Sequence, residues 1–138
     1  MTEAEHTDVP EDIAFAVKDF VETHLPTLEH LEVLALLIQG SDKWWDAETV
    51  GRQLGIAAPA GRRILEHLAS RNLLAIRVIA DVRYQYQPGE PGIRAAAEAF
   101  AVAYATQRLA LTRLAMRPAR RSIRDFAEAF RIQRDDDR

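Results

Sequence analysis

The 138-residue sequence contains no cysteine, and this absence removes several classes of site at once. Disulfides, thiolate metal ligands and cysteine nucleophiles all depend on that residue. A chain that needs no disulfide suits a reducing compartment. The sequence therefore predicts a cytoplasmic protein.

Long apolar runs are also missing. One of the longest, VLALLI, covers residues 33–38, whereas a membrane-spanning helix needs about 20 such residues. The acidic N-terminus lacks the basic and apolar regions of a signal peptide. We expect a soluble protein without membrane association.

Signatures of catalysis and metal binding are absent as well. The histidines, His6, His24, His30 and His67, include no pair four residues apart and no carboxylate at a familiar metal spacing. There is no glycine-rich phosphate loop, nucleophile elbow or pair of carboxylates on facing elements. The sequence predicts no metal, no cofactor and no enzymatic activity.

Charge is divided unevenly along the chain. Residues 1–48 contain twelve acidic residues and two lysines, whereas residues 49–138 contain sixteen arginines and nine acidic residues. The planar guanidinium of arginine suits phosphate and carboxylate recognition. The second part therefore favours an anionic partner, although the two parts could also pack against each other or against another copy.

Helical periodicity dominates the first half of the chain. Residues 1–9 lack periodicity and are predicted to form a mobile tail. A first helix is expected from Pro10 to about His24, and a second, capped by Thr27, to about Gln39. The first has an apolar stripe at helical spacing, and the apolar positions of the second cover enough of its circumference to predict deep burial.

Two shorter helices follow, separated by a tight turn. The first begins near Asp46, places Val50 and Gly51 on its apolar face and stops at Gly55. The second begins at Pro59, and its inward positions are Gly61, Ile64, Leu65 and Leu68.

The period then changes to two residues. Apolar side chains alternate with Arg77, Arg83 and Gln85 over residues 75–87, which predicts a hairpin with a turn near Ala80 and Asp81. A long helix from about Ile93 to Arg117 and a last one opened by Ser122 complete a helical extension over residues 93–134, before a frayed tail at 135–138. The fold class is mainly α with a small β-hairpin wing.

The order of helices, tight turn and hairpin resembles that of a known family. The segment WWDAETVGRQLGIAAPAGRRILEHLASRNLLAIRVIADVRYQYQP resembles winged helix-turn-helix transcription regulators of the broad MarR-like or PadR-like kind. Its landmarks are Gly51, the Gly55-Ile56 turn, Leu65, Leu68 and the Asn72-Leu73-Leu74 run. The resemblance covers roughly residues 28–88, within a domain predicted over residues 10–88.

The resemblance implies a dimeric DNA-binding transcriptional regulator whose second motif helix lies in the major groove of double-stranded DNA. Arg63 is then the best candidate for reading bases. The remaining predicted DNA-binding residues are Arg52, Arg62, His67, Ser70, Arg71, Arg77 and Arg83. Residues 49–87 contain six arginines and two acidic residues, so the local charge has the sign that DNA requires.

Besides the strongly acidic first 48 residues, two features favour an alternative function. Ala57, Ala58, Pro59 and Ala60 occupy the start of the recognition helix, where polar base readers are expected. The wing tip carries Ala-Asp in place of glycine and lysine. The alternative is a winged-helix module that binds another protein and not DNA.

The long C-terminal helix predicts a homodimer. Its apolar residues step by four and three, the spacing of a heptad seam. The predicted dimer interface comprises Ile93, Ala97, Phe100, Tyr104, Gln107, Leu111 and Leu114. The same stripe could equally pack on the N-terminal helix of its own chain.

Overall fold

The computed structural model describes residues 13–116. The predicted N-terminal tail, the helix start at Pro10, the last helix from Ser122 and the frayed C-terminal tail lie outside this range. Six helices and one two-stranded sheet make up the described part.

The first two helices are α1 (Phe15–His24) and α2 (Leu28–Gln39). Val17, Phe20 and Val21 form the buried stripe of α1, as the periodicity predicts. Thr27 caps α2 by accepting a hydrogen bond from the backbone N–H of His30, which satisfies one of the free amides in the first turn. Both helices contribute to the core.

Helices α3 (Ala47–Leu54) and α4 (Ala58–Ser70) form the helix-turn-helix. The carboxylate of Asp46 caps α3 by accepting from Thr49 N–H at 2.9 Å. Gly55 ends α3 at φ 74°, in the left-handed region that glycine adopts without steric cost. Only a short link then separates the two helices.

Strands β1 (Leu74–Val78) and β2 (Val82–Tyr86) pair antiparallel, with Leu74 opposite Tyr86 and Val78 opposite Val82. Trp45 adds a bridge on the open side of β2, because its N–H donates to the Tyr84 carbonyl at 2.7 Å and its carbonyl accepts from Tyr84 N–H at 2.8 Å. This hairpin is the predicted wing.

The long C-terminal helix of the prediction is interrupted. It forms α5 (Pro91–Thr106) and α6 (Arg108–Ala115), separated at Gln107 with φ −133° and ψ 43°. Thr106 Oγ1 donates to the Val102 carbonyl at 2.8 Å, a side-chain bond that competes with the backbone ladder and bends helices. The prediction of one continuous helix over residues 93–117 is therefore wrong.

Part of the predicted dimer seam is covered within the single chain. Ala97, Phe100, Leu111 and Leu114 are buried within the single chain, and the Phe100 ring packs on that of Phe20 in α1 with centroids 5.8 Å apart. Ile93, Tyr104 and Gln107 are half-buried. Heptad spacing marks a face that must be covered, and here the chain's own α1 contributes to covering it.

Candidate nucleic-acid interface

The angle between α3 and α4 depends on a close approach at Gly51. Its carbonyl accepts from both Gly55 N–H and Ile56 N–H, at 2.7 and 3.0 Å. A Cβ atom at Gly51 would lie 2.5 Å from the Ile56 carbonyl oxygen, well inside van der Waals contact. Glycine is therefore required where the turn folds back on α3.

Helix α4 separates its buried and exposed residues as the sequence predicts. Gly61, Ile64, Leu65 and Leu68 are buried. The outward positions Pro59, Arg62, Arg63, Glu66 and Ser70 are exposed. Among the described residues, neither Arg62 nor Arg63 takes part in a hydrogen bond or ion pair. Two guanidinium groups on this face are available to a ligand.

The C-terminal half of α4 is bound to the rest of the protein. His67 Nε2 donates to the carbonyl oxygen of His24 at 3.0 Å, and Arg71 Nε donates to His24 Nδ1 at 3.0 Å. The His67 ring also meets the His30 ring edge to face, with centroids 4.9 Å apart. His67 and Arg71 thus hold α4 against the end of α1 and the start of α2, and a DNA contact would require them to leave these partners or to bind DNA alongside them.

This arrangement keeps two histidines neutral. Burial lowers the pKa of His30 to about 4, with a further contribution from His67. Burial also lowers the pKa of His24, and the charge of Arg71 adds to this shift. Because Arg71 donates to His24 Nδ1, that nitrogen carries no proton.

The wing arginines are engaged by neighbouring side chains. The Arg77 guanidinium lies 4.4 Å from the ring centroid of Trp44, in a cation–π contact. Arg83 Nε lies 3.1 Å from Asp81 Oδ1 at the wing tip. Both arginines would have to leave these partners, or bind DNA alongside them. On α3, the remaining candidate, Arg52, is exposed and donates to Thr49 Oγ1 at 3.3 Å.

The two tryptophans before α3 have different environments. Trp45 is 6% exposed and belongs to the core, and its Nε1 donates to the Gly40 carbonyl at 3.2 Å. Trp44 is half-buried beneath Arg77. One ring is therefore a core anchor, and the other is partly covered at the surface.

A groove of about 580 Å³ lies between α4 and the wing, and its charge is mainly negative. Arg62 shares this groove with four carboxylate residues: Asp46, Glu48, Glu66 and Asp81. Hydrogen bonds from Thr49 lower the pKa of Asp46, which keeps it ionised. The charge count over residues 49–87 missed Asp46 and Glu48, because they precede that window in sequence but adjoin Arg62 in space.

A second groove, of about 290 Å³, borders the other side of α4. Arg63 and Ala60 line it together with Thr27, Glu29 and His30 of the α2 start. Arg63 therefore shares its groove with one carboxylate residue, whereas Arg62 shares its groove with four. The two adjacent arginines have different electrostatic surroundings.

Over residues 13–116, no helix combines the length and apolarity needed to cross a membrane. The same residues contain no group of three His, Asp or Glu side chains that could hold a metal ion.

Comparison with known proteins yields structures and no sequence matches. No protein-family model and no curated protein matches the chain. The structure of Staphylococcus aureus MepR in complex with DNA is 12% identical over 96% of each chain, with a TM-score of 0.52. MepR bound to ethidium bromide is 14% identical over 96% of each chain, with a TM-score of 0.51.

A MarR family protein of Mycobacterium tuberculosis in complex with DNA is 20% identical over 94% of this chain and 97% of its own, with a TM-score of 0.48. The fold assignment rests on the MepR structures. At their low identities the similarity concerns the fold, and the chain shares the winged-helix fold of MepR. The predicted fold class is confirmed.

Proposed function

Taking the MarR-like winged-helix fold as the premise, we propose that the protein is a DNA-binding transcriptional regulator that acts as a homodimer. One observation carries the proposal. Arg62 and Arg63 are exposed on α4, one turn after its start, without a hydrogen-bond or ion-pair partner among the described residues. In helix-turn-helix proteins this part of the second helix enters the major groove.

The structural neighbours support the same function. MepR, which has been solved in complex with DNA, aligns with nearly the whole chain. A regulator of this kind works on cytoplasmic DNA and carries out no catalysis, so it needs no cofactor.

Further contacts are proposed around α4. Arg52 and Ser70 are exposed and would contact phosphates alongside the bonds that they make to Thr49 and to the His67 carbonyl. Arg77 and Arg83 on the wing would contribute after leaving Trp44 and Asp81. Phosphate contacts of this kind position a protein on DNA without reading sequence.

The homodimer is proposed to form through α1, α5 and α6. Large apolar side chains are exposed on these helices: Phe15 at 78%, Val102 at 64% and Leu109 at 63%. They differ from the buried residues of the predicted seam, so the proposed interface uses the outward faces of the helices. Two copies would present two α4 helices to successive major grooves.

Binding of labelled duplex DNA across a salt series tests the function. The Arg62→Ala/Arg63→Ala variant should lose at least about tenfold in affinity at low salt, with a shallower salt dependence for each phosphate contact removed. The matched control is Lys43→Ala/Arg94→Ala, which removes two exposed cations from the loop between α2 and α3 and from the start of α5. No binding by the folded wild type at low salt, or an equal loss in the control, would contradict the proposal.

A protein-interaction module is the second candidate, and the wing favours it. Ile76, Val78, Ile79 and Val82 are exposed by 51%, 69%, 78% and 43%, and contiguous exposed apolar side chains are typical of protein-binding surfaces. Failure to bind DNA together with a stable protein complex that Ile79→Ser abolishes would support this candidate.

A further inference from the structure

The start of α4 has an unusual chemical character for a helix that reads DNA. Residues 57–60 are Ala-Ala-Pro-Ala, and the Ala57 side chain makes no capping hydrogen bond. Ala57 and Pro59 are exposed, whereas Ala58 and Ala60 are half-buried. This first turn presents methyl and methylene groups to solvent and offers no side-chain donor or acceptor.

An apolar surface can still discriminate bases in the major groove. Thymine carries a C5-methyl group there, and apolar side chains such as alanine contact it. Cytosine lacks this methyl group and presents an amino donor at the neighbouring position. A donor facing Pro59 or Ala60 would lose its water without gaining a hydrogen bond, so an apolar turn in the groove would favour thymine over cytosine.

Arg63 adds a polar reader one turn further along. It lies four residues after Pro59, on the same side of the helix, and borders the groove lined by Ala60. Arg62 instead borders the groove with four carboxylates, which compete with a base for its guanidinium. Arg63 is therefore the arginine of α4 best placed to form a bidentate contact with the O6 and N7 atoms of guanine.

We infer that α4 reads a thymine through the methyl-rich turn at Pro59 and Ala60, and a guanine through Arg63. The four-residue separation covers about 6 Å along the helix axis, and successive base pairs are about 3.4 Å apart. The thymine and the guanine therefore lie one or two base pairs apart in each half-site. This inference rests on the proposed DNA-binding function.

The test begins with selection of bound sequences from a randomised duplex library. In the selected duplex each thymine is replaced in turn by deoxyuridine, which removes only the C5-methyl group. Each guanine is replaced by 7-deazaguanine, which removes only the N7 acceptor. Loss of one buried methyl group should weaken binding about threefold to fivefold, and loss of the guanine contact by about tenfold.

Protein variants assign each effect to a side chain. Arg63→Ala should bind the parent and 7-deazaguanine duplexes with equal affinity. The control Arg62→Ala should still bind the parent duplex more tightly than the 7-deazaguanine duplex. Pro59→Ser/Ala60→Ser should lose the preference for thymine over deoxyuridine and keep the response to 7-deazaguanine. Because all four positions are exposed or half-exposed, these variants should fold.

The outcomes separate this inference from the function on which it rests. Salt-dependent binding with no response to deoxyuridine or 7-deazaguanine at any position would overturn the readout and leave DNA binding intact. Selection that enriches no sequence would do the same. Failure to bind any duplex at low salt would overturn both.

Discussion

Helix α4 and the wing each place two arginines on the outward side of the molecule, but within residues 13–116 only the wing arginines have a side-chain partner. Arg62 and Arg63 make no hydrogen bond or ion pair among the described residues. Arg77 stacks on Trp44 and Arg83 pairs with Asp81. An arginine's position on a face therefore does not determine whether it is available to DNA, because its immediate neighbours decide that.

The two elements also differ in how they are held. Helix α4 buries four residues between Gly61 and Leu68, and its last turn is bonded to His24. The wing is buried at its base through Leu74 and Tyr84, whereas Ile79 at its tip is 78% exposed. We infer that α4 is fixed along its length and that the wing gains freedom towards its tip.

The largest expected effect comes from breaking the anchorage of α4 alone. Gly51→Ala would push a methyl group against the Ile56 carbonyl, and we expect a loss of about 2–3 kcal/mol in the free energy of unfolding. The control is Gly92→Ala, because a Cβ there has no atom within 4 Å. Urea unfolding measures both variants. Equal stability of the two would show that the turn is not close-packed at Gly51.

Acid should weaken the same anchorage through the histidines. The pKa of His30 is about 4 in the folded protein, below its ordinary value of 6.5, so the unfolded chain binds the proton first as the pH falls. The stability that the protein gains from a neutral His30 is complete above pH 6.5 and is lost as the pH falls from 6.5 to 4. We expect the free energy of unfolding to fall by about 1–2 kcal/mol over this range. This loss is smaller than full burial would produce, because the ring is partly exposed.

Thermal unfolding between pH 7.5 and 4.5 measures this loss. His30→Gln removes the titrating ring, so its melting temperature should fall less over the same interval. A wild-type melting temperature that does not change between pH 7 and 5 would contradict the conclusion that His30 is held neutral in the folded protein.

The smallest effect concerns the wing. Asp81→Asn should release Arg83 from its ion pair and strengthen DNA binding about threefold at low salt, since one repulsive charge is removed as well. Glu98→Gln on α5 makes the same charge change away from α4 and the wing. If the two variants bind DNA with equal affinity, the Arg83–Asp81 ion pair does not limit the contribution of the wing to DNA binding.

Much of the fold follows from local patterns in the sequence. The apolar spacing of α4 predicted its four buried positions, and the two-residue period predicted the wing. Thr27 was predicted as a cap and Asp46 as a helix start, and both side chains accept from a backbone N–H three residues later. Such short-range interactions leave a readable pattern in the sequence.

The candidate site was less predictable because its outcome depends on distant residues. His67 and Arg71 lie on the outward flank of α4 by spacing, yet both bond to His24, more than 40 residues earlier in the chain. Periodicity shows that a helix has a covered face and a free face, but not which neighbour covers each flank. The helix break at Gln107 was missed because neither proline nor glycine marks it.

The burial of Phe100, Ala97 and Leu111 inside one chain has a consequence for the order of folding and assembly. A protomer that completes its own apolar core can reach its folded state before it meets a second copy. Its refolding rate should then be independent of protein concentration, and association follows as a separate bimolecular step. Newly made chains would be folded while still too dilute to pair.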